Sequence, residues 1–270
     1  MSQPVSKRTA RTIFGRDPEA FDRARLRYPP RVFEVLTRRC GLQEGTSVFE
    51  IGPGTGIATR ELLRLGAGPL TAIEPDPNLA EFLGSHLGRR RRRVRIVRLP
   101  FEKAPLEEAA YDLGVAATSF HWVEERVALR KIARSLRPGG WWAFWANLHG
   151  DQEHPSAFHR AIQPLYGKQG QGRPLHARPS PSLSVQQDRR ARSLRATGSF
   201  DRITQEIIRT RVNLDTAHVT ALWATFSDIA ILPRKQRVEF LTGMARIVHE
   251  EFGGEAKFTV VTPLLTARRK

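Results

Sequence analysis

The chain has one cysteine, Cys40, in 270 residues; this excludes an internal disulfide and suits a reducing compartment. It also lacks an apolar run able to cross a bilayer. The densest apolar stretch, Trp141-Trp142-Ala143-Phe144-Trp145-Ala146, falls far short of the roughly 20 residues that a spanning helix needs. The opening residues carry Lys7, Arg8 and Arg11 with no apolar core behind them, so no secretory signal is expected and a cytoplasmic setting is the default. Lysine is scarce as well: only seven of the 44 basic residues are lysine, and the arginines that make up the rest are scattered along a chain of net charge +17. Such a bias fits a GC-rich coding background. The five arginines at 89 to 93 lie between an expected helix and an expected strand, where a solvated turn belongs. Basic patches also bind phosphate backbones, so a nucleic-acid surface remains the second reading of the same charge. His149, His154 and His159, with Asp151 and Glu153 nearby, invite a metal reading, but a spacing of five puts them on different helix faces and no metal is expected.

What the chain does have is a stretch that organises the rest. Val48-Phe49-Glu50-Ile51-Gly52-Pro53-Gly54-Thr55-Gly56 runs from apolar residues into glycines, and a helical pattern starts at Ile57: strand, tight turn, helix. Gly52, Gly54 and Gly56 allow positive φ and bare backbone, so a ligand can lie against the turn with the amides of the next helix aimed at it. A dinucleotide fingerprint beginning at Gly52 would want its third glycine at 57, where Ile57 stands; the glycine is at 56 instead. About twenty residues on, Leu70-Thr71-Ala72-Ile73-Glu74 reads as a second strand ending in an acid, placed to accept from ribose hydroxyls. That acid suits an adenosine-type ligand of either kind.

The order of motifs decides between the two. E-x-G-P-G-T-G is followed by I-E-P-D, then by Pro100-Phe101-Glu102, Tyr111-Asp112-Leu113, Ser119-Phe120-His121-Trp122 and Leu136-Arg137-Pro138-Gly139-Gly140. In order and spacing this resembles the class I S-adenosylmethionine-dependent methyltransferases, and within them the small-molecule type 11 group. The segment Phe21-Asp22-Arg23-Ala24-Arg25-Leu26-Arg27-Tyr28-Pro29 is similar to that group's entry motif, with Phe21 and Leu26 departing from its Tyr and Pro. The resemblance spans roughly residues 14 to 147.

It implies a doubly wound, seven-stranded, mostly parallel α/β sheet with helices on both faces, a Rossmann-like methyltransferase fold carrying a small helical cap. S-adenosyl-L-methionine is the implied cofactor and a small molecule the implied acceptor. Glu50 would hold the amino end of the cofactor's methionine, as suits a carboxylate facing an ammonium, with Gly52, Gly54 and Gly56 as the cradle. Glu74 would take the ribose, Phe101 would wall the adenine and Glu102 accept from its amine, with Ser119 also on the cofactor. Asp76 is read as the cap of the helix opening at Pro77. Tyr28 and Arg25 lie where contacts to the methionine carboxylate or the substrate come from, although Tyr28 also reads as packing before the Pro29-Pro30 break. His121 and Trp122 face the transferred methyl: His121 is a candidate base, since imidazole titrates near neutrality, or the two rings wall the cofactor without moving a proton. A sulfonium is already a strong electrophile, so alignment can suffice. An RNA or protein methyltransferase and a non-catalytic cofactor-binding module are the alternatives.

Strands are expected near 47–51, 70–74, 94–98, 111–117 and 141–146, with helices near 56–65, 77–87 and 124–136, an alternation that implies a parallel sheet. The Arg137-Pro138-Gly139-Gly140 segment is read as a turn before the fifth strand. Four segments follow: 1–40 as lid helices, 41–149 as the cofactor-binding core, 150–198 as a partly mobile insertion that could close over substrate, and 199–270 as completion of the sheet. In the last, Asp215 should cap one helix and Gly253-Gly254 stop another. Trp223, Phe226 and Ser227 are candidates for the substrate side, with a core role the better reading of the aromatics.

Overall fold

A computed structural model of the chain describes residues 13–168 and 182–270. The parts of the opening segment and of the 150–198 segment at 1–12 and 169–181 lie outside the described residues. In chain order the helices are α1 (Pro18–Ala24), α2 (Pro30–Arg38), α3 (Ile57–Arg64), α4 (Pro77–Ser85), α5 (Glu125–Ser135), α6 (Ala157–Lys168), α7 (Leu183–Ala196), α8 (Thr216–Ala224), α9 (Ser227–Ala230) and α10 (Arg234–Phe252). The strands are β1 (Val48–Ile51), β2 (Leu70–Ile73), β3 (Val94–Val97), β4 (Tyr111–Ala117), β5 (Leu136–Trp145), β6 (Leu148–His149), β7 (Phe200–Asp215) and β8 (Glu255–Arg269). The chain divides into two compact units: residues 27–146, 183–208 and 262–270, and residues 1–26, 147–182 and 209–261.

In the first unit the strands follow the order β3-β2-β1-β4-β5-β8. The first five are parallel and β8 is antiparallel to β5, with Trp141 opposite Arg268 and Trp145 opposite Leu264. This is a doubly wound α/β sheet, as the helix-strand alternation predicts. The two-residue β6 brings the number of strands among the described residues to eight rather than seven. Side chains alternate across the sheet. Val48, Leu113, Val115, Ala143 and Trp145 meet α2 and α3 through Val32, Leu36 and Leu62, while Phe49, Ala116 and Trp142 meet α5 and α7 through Leu129, Ile132, Ala191 and Leu194. Glu50 lies between Phe49 and Ile51, which share one face, and so takes the opposite face with Val48, towards α3, where the Thr59 hydroxyl meets it.

Two departures have local causes. The segment at 137–140 is an excursion inside β5: Tyr111 of β4 opposes Leu136 and Leu113 opposes Trp141, so the loop lies within the ladder, with Gly139 at φ 82°. The segment expected as a partly mobile insertion carries α6 and α7. The apolar stripe of α7 is Leu183, Ala191 and Leu194, with buried Gln187 in the remaining slot, so a polar residue interrupts the period that would announce the helix.

The second unit is a helical cluster. Phe158, Ile162 and Tyr166 of α6, Leu222 and Trp223 of α8, and Phe240, Met244 and Val248 of α10 share one core with Phe258. Trp223 is fully buried and its Nε1 donates to the Tyr166 hydroxyl at 3.0 Å, so this tryptophan is a core residue. Asp215 accepts from the His218 backbone amide at 2.7 Å, and α10 ends on Gly253 at φ 63°, the cap and stop that their residue types specify. Among the described residues no helix is long and apolar enough to cross a membrane.

Candidate active site

The candidate site lies in the first unit, where β1, β2 and β4 end together. Ligands of open parallel sheets bind beyond these carboxyl ends, at the point where the strand order reverses, which here lies between β1 and β4. Gly52, Gly54 and Gly56 have φ of 62°, 59° and 90°, the left-handed region that any Cβ would strain. Their surroundings differ. A Cβ on Gly52 would come within 2.7 Å of Ser119 Cβ and one on Gly56 within 2.5 Å of Leu83, whereas one on Gly54 would meet nothing within 4 Å among the described residues. Gly52 and Gly56 hold the turn against its neighbours. Gly54 presents the bare face.

Three side chains hold that turn. Glu74, 5 % exposed, accepts from the Gly54 amide through Oε2 at 2.9 Å and from the Asp76 amide through Oε1 at 3.0 Å. Ser119 donates its hydroxyl to the Ile51 carbonyl, fastening the end of β4 to the end of β1. Asp76 caps α4 by accepting from the amides of Asn78 and Leu79 at 2.9 and 3.0 Å, which fixes the chain after Glu74.

Glu50 is fully buried. Its Oε2 accepts from the Thr59 hydroxyl on α3 at 2.6 Å, and its Oε1 is buried with no hydrogen-bond partner among the described residues. Burial pushes its carboxyl up to about 7; Glu74 adds to the rise, while the Thr59 hydrogen bond and the Arg60 charge oppose it. Thr55, 1 % exposed within the turn, likewise has a buried hydroxyl oxygen without a partner among the described residues. Most buried polar groups in native proteins are satisfied, so two such atoms close together in sequence make this turn a candidate position for a polar ligand.

At the end of β4, Thr118 has φ 57°, a conformation that a β-branched residue adopts only at a cost of order 1–3 kcal/mol. Its amide donates to the Trp145 carbonyl at 2.7 Å and its hydroxyl shares a 3.0 Å hydrogen bond with the Tyr28 hydroxyl. The half-buried Tyr28 ring stands edge-on to Trp145 at 5.7 Å. Tyr28 is thereby laid across the ends of β4 and β5. His121 is exposed and tilted against half-buried Trp122, with ring centroids 4.7 Å apart.

The structure thus brings together Glu50, Gly52, Gly54, Gly56, Glu74 and Ser119, with Tyr28, His121 and Trp122 at the end of β4. Phe101 is placed otherwise. Its ring is 3 % exposed, stacks on Phe49 at 6.3 Å and lies 5.0 Å from Lys131 Nζ, so it belongs to the core. Lys131 also donates to the carbonyls of Phe101 and Ala104, both at 2.6 Å, which clamps this loop to α5. Glu102 is exposed, with Oε1 3.5 Å from the Glu124 amide. Arg25 belongs to the other unit: it donates to the Thr225 carbonyl at 2.9 Å and lies 4.8 Å from the Phe21 ring and 5.1 Å from the Phe226 ring. Thr59, Thr55 and Thr118 are the residues that sequence reasoning missed. A hydroxyl one turn into the helix after a buried strand-end acid was the available signal for Thr59.

Asp151, Glu153 and His154 form an acidic group in the second unit, their ligand atoms within 4.8 Å of one another. Arg209 already occupies both carboxylates, at 2.9 Å from Asp151 and 2.7 Å from Glu153, so the group is an ion-pair cluster built around a guanidinium. Burial works against the Asp151 charge, but Arg209, the Glu153 amide and His154 outweigh it and hold that carboxyl below the usual range.

Residues 49–144 match the methyltransferase domain family. An uncharacterised methyltransferase of Mycobacterium tuberculosis is 30 % identical over 135 residues, 50 % of this chain and 52 % of that protein. The ribosomal RNA small subunit methyltransferase A of Rhizobium etli is 32 % identical over 119 residues, 43 % of this chain and 41 % of that protein. The chain spans about half the length of the curated relatives it matches. In structure, a candidate type II methyltransferase of Anaeromyxobacter dehalogenans superposes with a TM-score of 0.60 at 18 % identity, over 91 % of this chain and 97 % of the other, which establishes the likeness of fold.

Proposed function

We propose, for a chain that belongs through residues 49–144 to the class I S-adenosylmethionine-dependent methyltransferases, that it transfers a methyl group from this cofactor to an O, N or C atom of a small-molecule acceptor by in-line displacement. The observation that carries the reading is the buried, half-satisfied Glu50 beside the open face of Gly54. Both suit the cofactor's methionine end: the ammonium would take Glu50 Oε1, and the backbone of Gly54 leaves room for the ligand. Glu74 retains acceptor capacity for ribose hydroxyls, since each carboxylate oxygen has more than one lone pair. S-adenosylmethionine supplies a methyl already activated on a sulfonium.

The chain's own task is then placement. Tyr28 and Thr118 offer hydroxyls at the end of β4, where an acceptor's polar atom would be oriented, and the strained Thr118 backbone is held by its neighbours in the position this requires. Exposed His121 is a candidate for taking the acceptor's proton, and Trp122 for covering the site. The Rhizobium relative supports a second reading, in which the acceptor is RNA.

Calorimetric titration with S-adenosylhomocysteine tests the cofactor, with NADH as control. Micromolar binding of the first alone is expected. Glu74→Ala should weaken it by about 2 kcal/mol, some 30-fold, through loss of a charge-assisted ribose contact and of the Gly54 anchor. NADH binding, or an unchanged affinity in Glu74→Ala, would overturn the placement. Turnover of a ribosomal RNA fragment in preference to small acceptors would establish the second reading.

A further inference from the structure

The five arginines at 89 to 93 are absorbed by nothing in the site. They form, with Gly88, the 3-10 helix Gly88–Arg93 that leads into β3, and among the described residues β3 is the terminal strand of its ladder, paired with β2 alone. Arg89, Arg90, Arg91 and Arg92 are exposed, as are Arg95 on β3 and Arg98 just after it.

Two of the group fix the rest in place. Arg91 donates to the Val94 carbonyl at 2.7 Å. Arg93 donates to Glu44 at 2.7 Å and to the Gly66 carbonyl at 3.1 Å, lying across the turn before β2. Among the described residues no ion pair involves Arg89, Arg90, Arg92, Arg95 or Arg98, and Glu44 is the single carboxylate paired to the run. A concentration of uncompensated guanidinium groups on a pinned backbone is thus held beside an open sheet edge.

We infer that this edge is a docking surface for the phosphate backbone of a nucleic acid, read without base contacts. Guanidinium forks match phosphate oxygens, and six residues of 3-10 helix span about 12 Å, a length over which one strand presents three or four phosphates. A lipid surface fits less well: the run has no apolar side chain to insert, and among the described residues Leu99, at 39 % exposure, is the one large exposed apolar residue near it in sequence. The surface is also separate from the candidate active site. Strands β1, β2 and β3 run in register, with Val48 beside Leu70 and Leu70 beside Val94, so Arg89 to Arg93 enter at the amino ends while the glycine turn leaves at the carboxyl ends, about 13 Å along the strands; of the exposed arginines named, Arg98 alone follows the carboxyl end of β3. Binding here holds the protein on a polyanion and leaves the choice of methyl acceptor open.

The test compares two full-length variants of equal charge loss for binding to a labelled polyuridylate across a range of salt. One is Arg89→Gln/Arg90→Gln/Arg92→Gln/Arg95→Gln. The other removes four exposed arginines on α5 and α7, as Arg126→Gln/Arg130→Gln/Arg189→Gln/Arg192→Gln. The edge variant should lose at least tenfold in affinity at about 0.1 M salt and lower the salt slope by about 3, with the α5/α7 variant within threefold of the parent. Equal losses in the two variants would show diffuse charge and overturn the assignment, as would no binding by the parent. Tighter binding to phosphatidylserine vesicles than to polyuridylate, lost in the same edge variant, would also overturn it in favour of a lipid surface. S-adenosylhomocysteine affinity or, should that ligand not bind, the thermal midpoint verifies that both variants are folded.

Discussion

Gly114→Ala is expected to destabilise the first unit by about 3 kcal/mol, lowering its thermal midpoint by roughly 6–12 °C, because the new methyl has nowhere to go. A Cβ on Gly114 would fall 2.2 Å from Phe49 Cζ and under 3 Å from two further atoms of that ring. Phe49 cannot yield cheaply. It is fully buried, stacks with Phe101 and with Trp142, each at 6.3 Å, and takes the edge of Tyr111 at 5.2 Å. Nor can the backbone move alone, since Gly114 opposes Phe49 on β1 and Trp142 on β5 in the middle of the ladder. The glycine is a packing requirement in a strand, where glycine is otherwise unfavourable. Melting followed by near-ultraviolet dichroism, which reports this aromatic stack, checks the loss. The double variant Phe49→Leu/Gly114→Ala should recover part of it, and a single variant that melts like the parent would show that the sheet has slack which the packing does not suggest.

That stack also shows where sequence reading succeeds and where it stops. The alternation of short apolar runs with amphipathic segments announced the parallel sheet, because strands buried on both faces and helices buried on one leave different periods. The ends of β1 and β2 were legible for the same reason: Glu50 and Glu74 follow directly on apolar runs, so the topology carries both to the carboxyl ends of the strands. Side chains that act by meeting a partner far along the chain were not legible. Phe101 follows β3 as an adenine wall would, yet Phe49 and Lys131 draw its ring into the core. Thr59 looks like any hydroxyl in a first helical turn until the fold sets it 2.6 Å from Glu50. Thr118 gives no sign in sequence of its left-handed backbone, which arises from bonds to Trp145 and Tyr28. The two compact units were hidden for a related reason: the chain leaves and re-enters each of them, and composition carries no trace of the return.

Glu50→Gln is expected to separate stability from binding, making the empty protein more stable at pH 8 while weakening S-adenosylhomocysteine by 100-fold or more. The carboxyl lies near 4.5 in the unfolded chain and is raised to about 7 in the fold, chiefly by burial. A group raised on folding contributes stability that is complete below the unfolded value and is lost as pH rises through the folded one. Between pH 4.5 and 7 the parent therefore gives up on the order of 3 kcal/mol of this contribution, and above about 7 it carries a buried charge at full cost. The carboxamide carries none, and its oxygen can still accept from Thr59. Binding runs the other way. An ammonium requires the ionised carboxylate at Oε1, so parent affinity should rise about tenfold per pH unit up to about 7 and level off above it, with a proton released on binding below that value. In Glu50→Gln the affinity should be low and flat across the same range. Thr59→Val deepens the test, because it leaves Oε2 buried without its hydroxyl donor. Its pH profile should shift further upward, and Thr59→Ser should restore it. A parent affinity that does not change between pH 5.5 and 8 would mean that Glu50 is not the counter-charge at this site, however well its burial suits the part.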